Sequence, residues 1–101
     1  MVTCRSEVEA KRIGELLVSL HLAACVNIAD VNSIFEWKDK QENQSEKLLV
    51  IKTLKSRFGK IEELVKATHS YDCPEIIGFE ISDVSEDYAN WVRKMCEGGS
   101  E

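Results

Sequence analysis

The chain has 101 residues, 44% of them hydrophobic and 31% charged, and its 18 acidic and 13 basic residues leave a formal charge of −5, a balance that predicts one globular domain around one core. Lysine and arginine form no stripe, which argues against a nucleic-acid partner. The cysteines at 4, 25, 73 and 96 contain no Cys-x-x-Cys, which argues against a zinc ribbon or a thioredoxin-like motif.

Met1 to Cys4 predicts the end of a strand, with the numbering beginning inside it. Ser6-Glu7-Val8-Glu9 is a capping box, serine at the N-cap and glutamate three residues on. Ala10, Ile13, Leu16, Leu17 and Leu20 then recur at helical spacing as far as about His21. Cys25 to Lys38 predicts a long strand, with Val31, Ser33, Phe35 and Trp37 on one face and Asn32, Ile34, Glu36 and Lys38 on the other. Asp30 predicts a bulge within it.

Asp39 to Ser45 is expected to be a polar turn, and Leu48 to Ile51 a strand covered on both faces. A helix follows from about Lys55 to Thr68, with Phe58, Ile61, Leu64 and Val65 inward. Pro74 then introduces a strand over Glu75 to Ser82, and Ser85 caps a last helix that buries Tyr88, Trp91, Val92 and Met95. Residues 98–101 are expected to form a disordered tail, leaving 1–97 as the single domain.

The order β-α-β-β-α-β-α is the split βαβ, ferredoxin-like plan: an α+β sandwich with an extra C-terminal helix. Strands average about five to six residues, so a strand from Cys25 to Lys38 outruns a small core. Together with the doubly apolar strand it predicts an obligate oligomer of identical chains.

The densest chemistry is His69-Ser70-Tyr71-Asp72-Cys73-Pro74-Glu75. His69 and Glu75 are the expected contacts for a divalent transition ion, because imidazole and carboxylate both suit such ions, and Cys73 adds a softer donor. Structural readings stand beside these: His69 interacting with a helix C-terminus, and Cys73 packed beneath Pro74. Ser70 adjoins His69 with no third group to orient the imidazole, so no enzymatic activity is expected.

Seven segments resemble, in order and near-family spacing, the CutA family of divalent-cation tolerance proteins: Val2–Cys4, Leu22–Asn27, Ser33–Lys38, Ile51–Thr53, His69–Tyr71, Pro74–Ile77 and Asp87–Val92. The resemblance covers nearly the whole chain. It implies a ferredoxin-like subunit in a tight trimer, with hairpins pairing between subunits. It further implies a role in tolerance to copper and other divalent ions, with no established reaction. Trp37, Lys52, Tyr71 and Glu75 match positions that line a pocket at the family's subunit boundary, where Lys52 and Glu75 are expected to pair.

This sequence departs from the family at several points. Arg5 stands where proline is common, Ser70 replaces the proline of His-Pro-Tyr, and Trp37-Lys38-Asp39-Lys40 lacks the usual glycine. Copper in some members is described on a strand-one cysteine, a histidine before the Pro-Tyr turn and the glutamate of Pro-Glu. Those positions correspond here to Val2, Thr68 and Glu75, so only the glutamate is retained. Cys4 lies two residues beyond Val2 on the same face of the strand and His69 one beyond Thr68, so the three-ligand site does not carry over as it stands.

The expected metal contacts are therefore His69, Glu75, Cys4 and Cys73, holding Cu²⁺ or another divalent transition ion weakly. With no secretory segment or membrane span in the sequence, the expected setting is a reducing cytoplasm. The main alternative is a PII-like regulatory trimer that binds a small anion or nucleotide at its subunit clefts, although no Gly-rich phosphate loop supports it. An acylphosphatase-like enzyme and an RNA-recognition module share the plan. Thr3-Cys4-Arg5-Ser6 lacks the glycines of a phosphate loop, and Leu48 to Ile51 lacks aromatics for base stacking.

Overall fold

The computed structural model describes residues 1–97, so the tail expected over 98–101 lies outside the described residues. The elements run β1 (Val2–Cys4), α1 (Glu7–Ser19), β2 (Cys25–Trp37), β3 (Lys40–Lys52), a 3₁₀ turn (Lys55–Arg57), α2 (Phe58–Thr68) and α3 (Glu86–Cys96).

Ser6 starts α1 as its sequence predicts: its backbone is extended and its Oγ accepts the Glu9 N–H at 3.2 Å. Glu9 does not close the box on Ser6; its carboxylate accepts the N–H groups of Arg5 and Ser70 instead. The helix stops where His21 takes a left-handed φ of 59°. The N–H groups of Leu22 and Ala23 then turn back to the Leu17 carbonyl.

The three strands form an antiparallel sheet in the order β1-β3-β2. The β2–β3 register is continuous from Cys25 opposite Lys52 to Trp37 opposite Lys40, so Asp30 makes no bulge. Asp30 lies directly across from Lys47 and the two side chains form an ion pair, which accommodates the charge without bending the strand. The expected polar turn contracts to Lys38 and Asp39, whose φ values of 52° and 65° give a two-residue hairpin turn matched to strand twist. Residues 40–45 are strand because ladder hydrogen bonds need only a partner backbone, not a core.

The helices cover one sheet face. Val2, Cys4, Ala10, Ile13, Leu17, Ala23, Leu49, Ile61 and Val65 form the main core. At Gly14 an added Cβ would lie 3.4 Å from the Val26 side chain, so α1 rides close upon β2. A second cluster joins Ala24 to Val92 and Cys96 of α3, with Leu54, Trp91 and Met95 around it. Arg57 secures the end of α3, its Nε and Nη2 donating to the Cys96 carbonyl at 3.2 and 2.6 Å.

Four expectations of burial change. Leu49 is fully buried, but Leu48, Val50 and Ile51 are only partly covered within one chain. Tyr88 is exposed and tilts against Trp91, and Phe58 is exposed with its ring over Gly78. Cys73 is exposed rather than packed beneath Pro74. The strand expected over Glu75 to Ser82 is reduced to one antiparallel bridge, Ile76 with Val2, beside which the Ile77 N–H donates to the Met1 carbonyl.

That bridge sits on the β1 edge, where the ferredoxin-like plan puts its fourth strand. Residues 78–82 beyond it are not strand. Phe79 and Ile81 are each left 70% exposed.

Leu49→Ala is expected to lower stability by about 2–5 kcal/mol, because the side chain is fully enclosed and its removal leaves a cavity. Val8→Ala, at a site 76% exposed, should stay within about 0.5 kcal/mol. Chemical denaturation of both variants at equal protein concentration checks the pair.

Candidate functional site

Three segments meet at Glu9. The first turn of α1 carries its carboxylate into a nearly closed environment, 6% exposed. Oε1 accepts the Arg5 N–H at 3.4 Å and Oε2 the Ser70 N–H at 2.9 Å. Burial is the largest single influence on this group and opposes its ionisation. Hydrogen bonding from Ser70 and the Arg5 N–H outweighs burial and holds its pKa below the ordinary value of 4.5, and any positive charge on the His69 ring acts in the same direction.

His69 ends α2, its own N–H closing the last turn on the Val65 carbonyl at 2.8 Å. Its ring then spans two backbones. Nδ1 accepts the Tyr71 N–H at 3.0 Å, and Nε2 lies 2.7 Å from the Thr3 carbonyl. Because a backbone N–H only donates, Nδ1 is the unprotonated nitrogen and Nε2–H is the donor to Thr3. The ring is a neutral pin between β1 and the exit turn of α2.

Cys4 is fully buried beside these groups. Burial first, then the fields of Glu9 and Glu46, push its thiol up to about 12 against a smaller opposing pull from Arg12. Cys4, Glu9 and His69 bring their ligand atoms within 4.8 Å of one another. All buried side-chain polar atoms among the described residues have hydrogen-bond partners.

Tyr71 extends the site to the hairpin. Its phenol donates to Glu46 Oε2 at 2.7 Å, its ring lies 4.7 Å from that of His69, and the Arg5 guanidinium lies 5.9 Å over it. Glu46 on β3 is only 6% exposed. Burial, followed by the hydrogen bond and charge of Glu46, raises the Tyr71 phenol to about 12, with Arg5 opposing. Arg5, Glu46 and Lys47 also line an open cleft of about 450 Å³ with Asp30, Val31, Asn32 and Ser45.

Of the residues expected to contact metal, the fold brings Cys4 and His69 together and leaves Cys73 and Glu75 outside that group, both exposed on the following turn. Lys52 and Glu75 form no ion pair among the described residues. Trp37 and Lys52 stand at opposite ends of the hairpin, about 40 Å apart at the usual rise per residue. One chain therefore cannot line a pocket with Trp37, Lys52, Tyr71 and Glu75. Sequence reasoning missed Glu9 and Glu46: Glu9 reads as a capping residue, and Glu46 falls between the polar turn expected over Asp39 to Ser45 and the strand expected from Leu48. A carboxylate between Val8 and Ala10, on the edge of an apolar stripe, was the available signal.

The profile described as "CutA1 divalent ion tolerance protein" matches residues 1–95. Human "Protein CutA" is 40% identical over 101 residues, 99% of this chain but 56% of that protein, so the chain spans little more than half the length of this relative. The Thermus thermophilus "Divalent-cation tolerance protein CutA" is 39% identical, with 93% of this chain matched to 92% of that one. The solved structure of the Archaeoglobus fulgidus periplasmic divalent cation tolerance protein CutA superposes with a TM-score of 0.92 at 35% identity, covering 94% of this chain and 93% of that chain.

The depressed pKa of Glu9 sets a direction for acid stability. Its contribution is fully present above the ordinary carboxylate value of 4.5 and is lost as pH falls through its lower folded value. Glu9→Gln should therefore be less stable than the parent at neutral pH, and the gap should narrow on acidification below about 4.5. Denaturation midpoints across that range measure it, and a gap constant with pH would contradict the assignment.

Proposed function

The chain belongs to the CutA1 family of divalent ion tolerance proteins, and on that premise we propose that it is a homotrimeric binding module that holds a divalent transition ion at Cys4, Glu9 and His69. The observation that carries this reading is the convergence of a buried thiol, a buried carboxylate and a half-buried imidazole within 4.8 Å.

The donor chemistry fits. Sulfur, nitrogen and oxygen together suit zinc and copper, and copper(II) stands highest in the general affinity order. Tetrahedral ligand atoms at about 2.0–2.3 Å from an ion lie roughly 3.3–3.7 Å apart, so no pair need close by more than about 1 Å. Each Glu9 oxygen has lone pairs to spare beyond its backbone donor. His69 and the Cys4 thiol must give up present partners or a proton, so weak binding is expected: each net hydrogen bond of about 1 kcal/mol that is displaced costs several-fold in affinity. Bound there, the ion would add a positive charge between Glu9 and Glu46. Glu75 and Cys73, on the exposed turn beyond, are secondary contacts in this reading.

Assembly is supported by an unfilled edge and an exposed apolar segment. Among the described residues β2 has no partner strand along its outer edge over 13 residues, and Phe79 and Ile81 are exposed. An open strand edge is a template for another chain. A contact between the β2 edge of one copy and the 78–82 segment of the next is head-to-tail, the kind that forms a ring when its rotation closes, and the family resemblance supports a ring of three. Copies so arranged can bring Trp37 of one hairpin near the Tyr71 and Glu75 turn of another.

A binding role also accounts for the chemistry better than an enzymatic one. His69 has both ring nitrogens engaged by backbone, and a thiol pushed up to about 12 is a poor nucleophile. The small-anion alternative gains nothing from the cleft beside Arg5, where Asp30 and Glu46 offset Arg5 and Lys47. The free thiols, exposed Cys73 among them, support placement in a reducing compartment such as the cytoplasm.

Titration calorimetry with copper(II) and zinc decides the site: His69→Ala and Cys4→Ser should each weaken binding by at least about tenfold, and Glu75→Gln much less. Equal affinity in all of them would move the site elsewhere. Light scattering should return about three times the 11.5 kDa chain mass. Trp37→Asp should lower that mass by placing a charge in the contact, and a monomeric parent at micromolar concentration would end the trimer reading.

A further inference from the structure

Tyr71 joins the candidate ion site to the hairpin through two bonds made by one residue. Its N–H donates to His69 Nδ1 at 3.0 Å and its phenol to Glu46 of β3 at 2.7 Å. The protonation of the imidazole follows from these partners: Nδ1 is bare because it faces an N–H, and the ring proton sits on Nε2 toward the Thr3 carbonyl, 2.7 Å away.

An ion ligand must offer a lone pair. If His69 offers Nδ1, the Tyr71 N–H is displaced directly. If His69 offers Nε2, the ring proton moves to Nδ1, where it faces the Tyr71 N–H donor to donor. The Tyr71 N–H bond survives neither arrangement. The amide of Tyr71 must turn away, and the residue cannot turn freely while its phenol is held on Glu46.

Resting on the ion site proposed above, we infer that capture of an ion by His69 releases the Tyr71 amide and weakens the Tyr71–Glu46 hydrogen bond, so that ion occupancy is transmitted from the exit turn of α2 to the β2–β3 hairpin. Glu46 lies opposite Val31 in the ladder, inside the stretch where the hairpin leaves the helices. The same turn runs on to Ile76 and Ile77, which pair with β1. A shift at Tyr71 thus reaches both the hairpin and the segment that leads to Phe79 and Ile81. The coupling is reciprocal: if the ion weakens the phenol contact, the phenol contact weakens ion binding by the same factor.

Zinc is the probe, because it is redox-silent toward thiols. Calorimetry on the full chain should show Tyr71→Phe binding zinc about three- to tenfold more tightly than the parent, the worth of one net hydrogen bond lost only from the ion-free state. A freed Glu46 carboxylate could also raise affinity by its charge, and Glu46→Gln separates the two causes. The glutamine side chain of that variant is neutral but still accepts from the phenol, so adding Tyr71→Phe to Glu46→Gln should again tighten binding; no gain in that background would assign the effect to charge and overturn the coupling.

Amide exchange followed by NMR on the parent gives a readout free of mutation. The Tyr71 N–H should be protected without zinc and exchange freely at zinc saturation. Protection that persists at saturation, or equal zinc affinity in Tyr71→Phe while His69→Ala loses zinc, would overturn the coupling and leave the ion site standing. Zinc binding unchanged in His69→Ala would remove the site itself and the coupling with it.

Discussion

The burial of the Glu9 carboxylate governs how this end of the molecule closes. An ionised carboxylate removed from water must be met by donors, and the two that reach Glu9 are backbone N–H groups from different segments, Arg5 and Ser70. Satisfying Glu9 therefore brings the loop after β1 and the exit of α2 to the first turn of α1. Once Ser70 is fixed there, His69 falls beside Thr3 and Cys4, and Tyr71 lies within reach of Glu46. Cys4, Glu9 and His69 converge as a consequence of that closure. Every hydrogen bond that an ion would have to displace also holds the closure together.

The second constraint is the mismatch between hairpin and core. The β2–β3 ladder has 13 pairs, but helices cover it only near Leu49. Beyond that the hairpin is held by its own ladder, by the Tyr71 phenol on Glu46, and by cross-strand pairs such as Asp30 with Lys47, which add only tenths of a kcal/mol each. A chain longer in one direction, 47 Å against 27 and 21 Å, exposes Ile34, Phe35 and Trp37 at one end and Phe79, Ile81 and Val84 along the side. Apolar side chains on unpaired backbone are expensive to leave in water and prone to pair. Assembly relieves both problems, and the turn carrying His69 and Tyr71 leads directly into one of the surfaces involved.

Much of this was legible in the sequence where local rules act alone. Ser6 and Ser85 cap helices at the positions their side chains predict, and the alternation from Cys25 marks β2 to within one residue. Segment 40–45 was not legible, because glutamine, glutamate, asparagine and serine pattern as a turn while a backbone ladder accepts them as strand. The fourth strand was legible in composition, but of Glu75 to Ser82 the structure keeps only the Ile76–Val2 bridge and the adjoining Ile77 hydrogen bond. The candidate site divides in the same way. His69 and Cys4 stand out by residue type, but Glu9 requires knowing that a residue 61 positions away supplies its second donor.

The most direct measurement is zinc-edge X-ray absorption on the loaded protein, combined with anomalous scattering from its crystals. A site at Cys4, Glu9 and His69 gives one sulfur at about 2.3 Å and a nitrogen and oxygen shell near 2.0–2.1 Å, with the anomalous peak inside the junction of β1, α1 and the exit of α2. A shell without sulfur, or a peak on the exposed turn at Glu75 with Cys4 still buried and unligated, would contradict it.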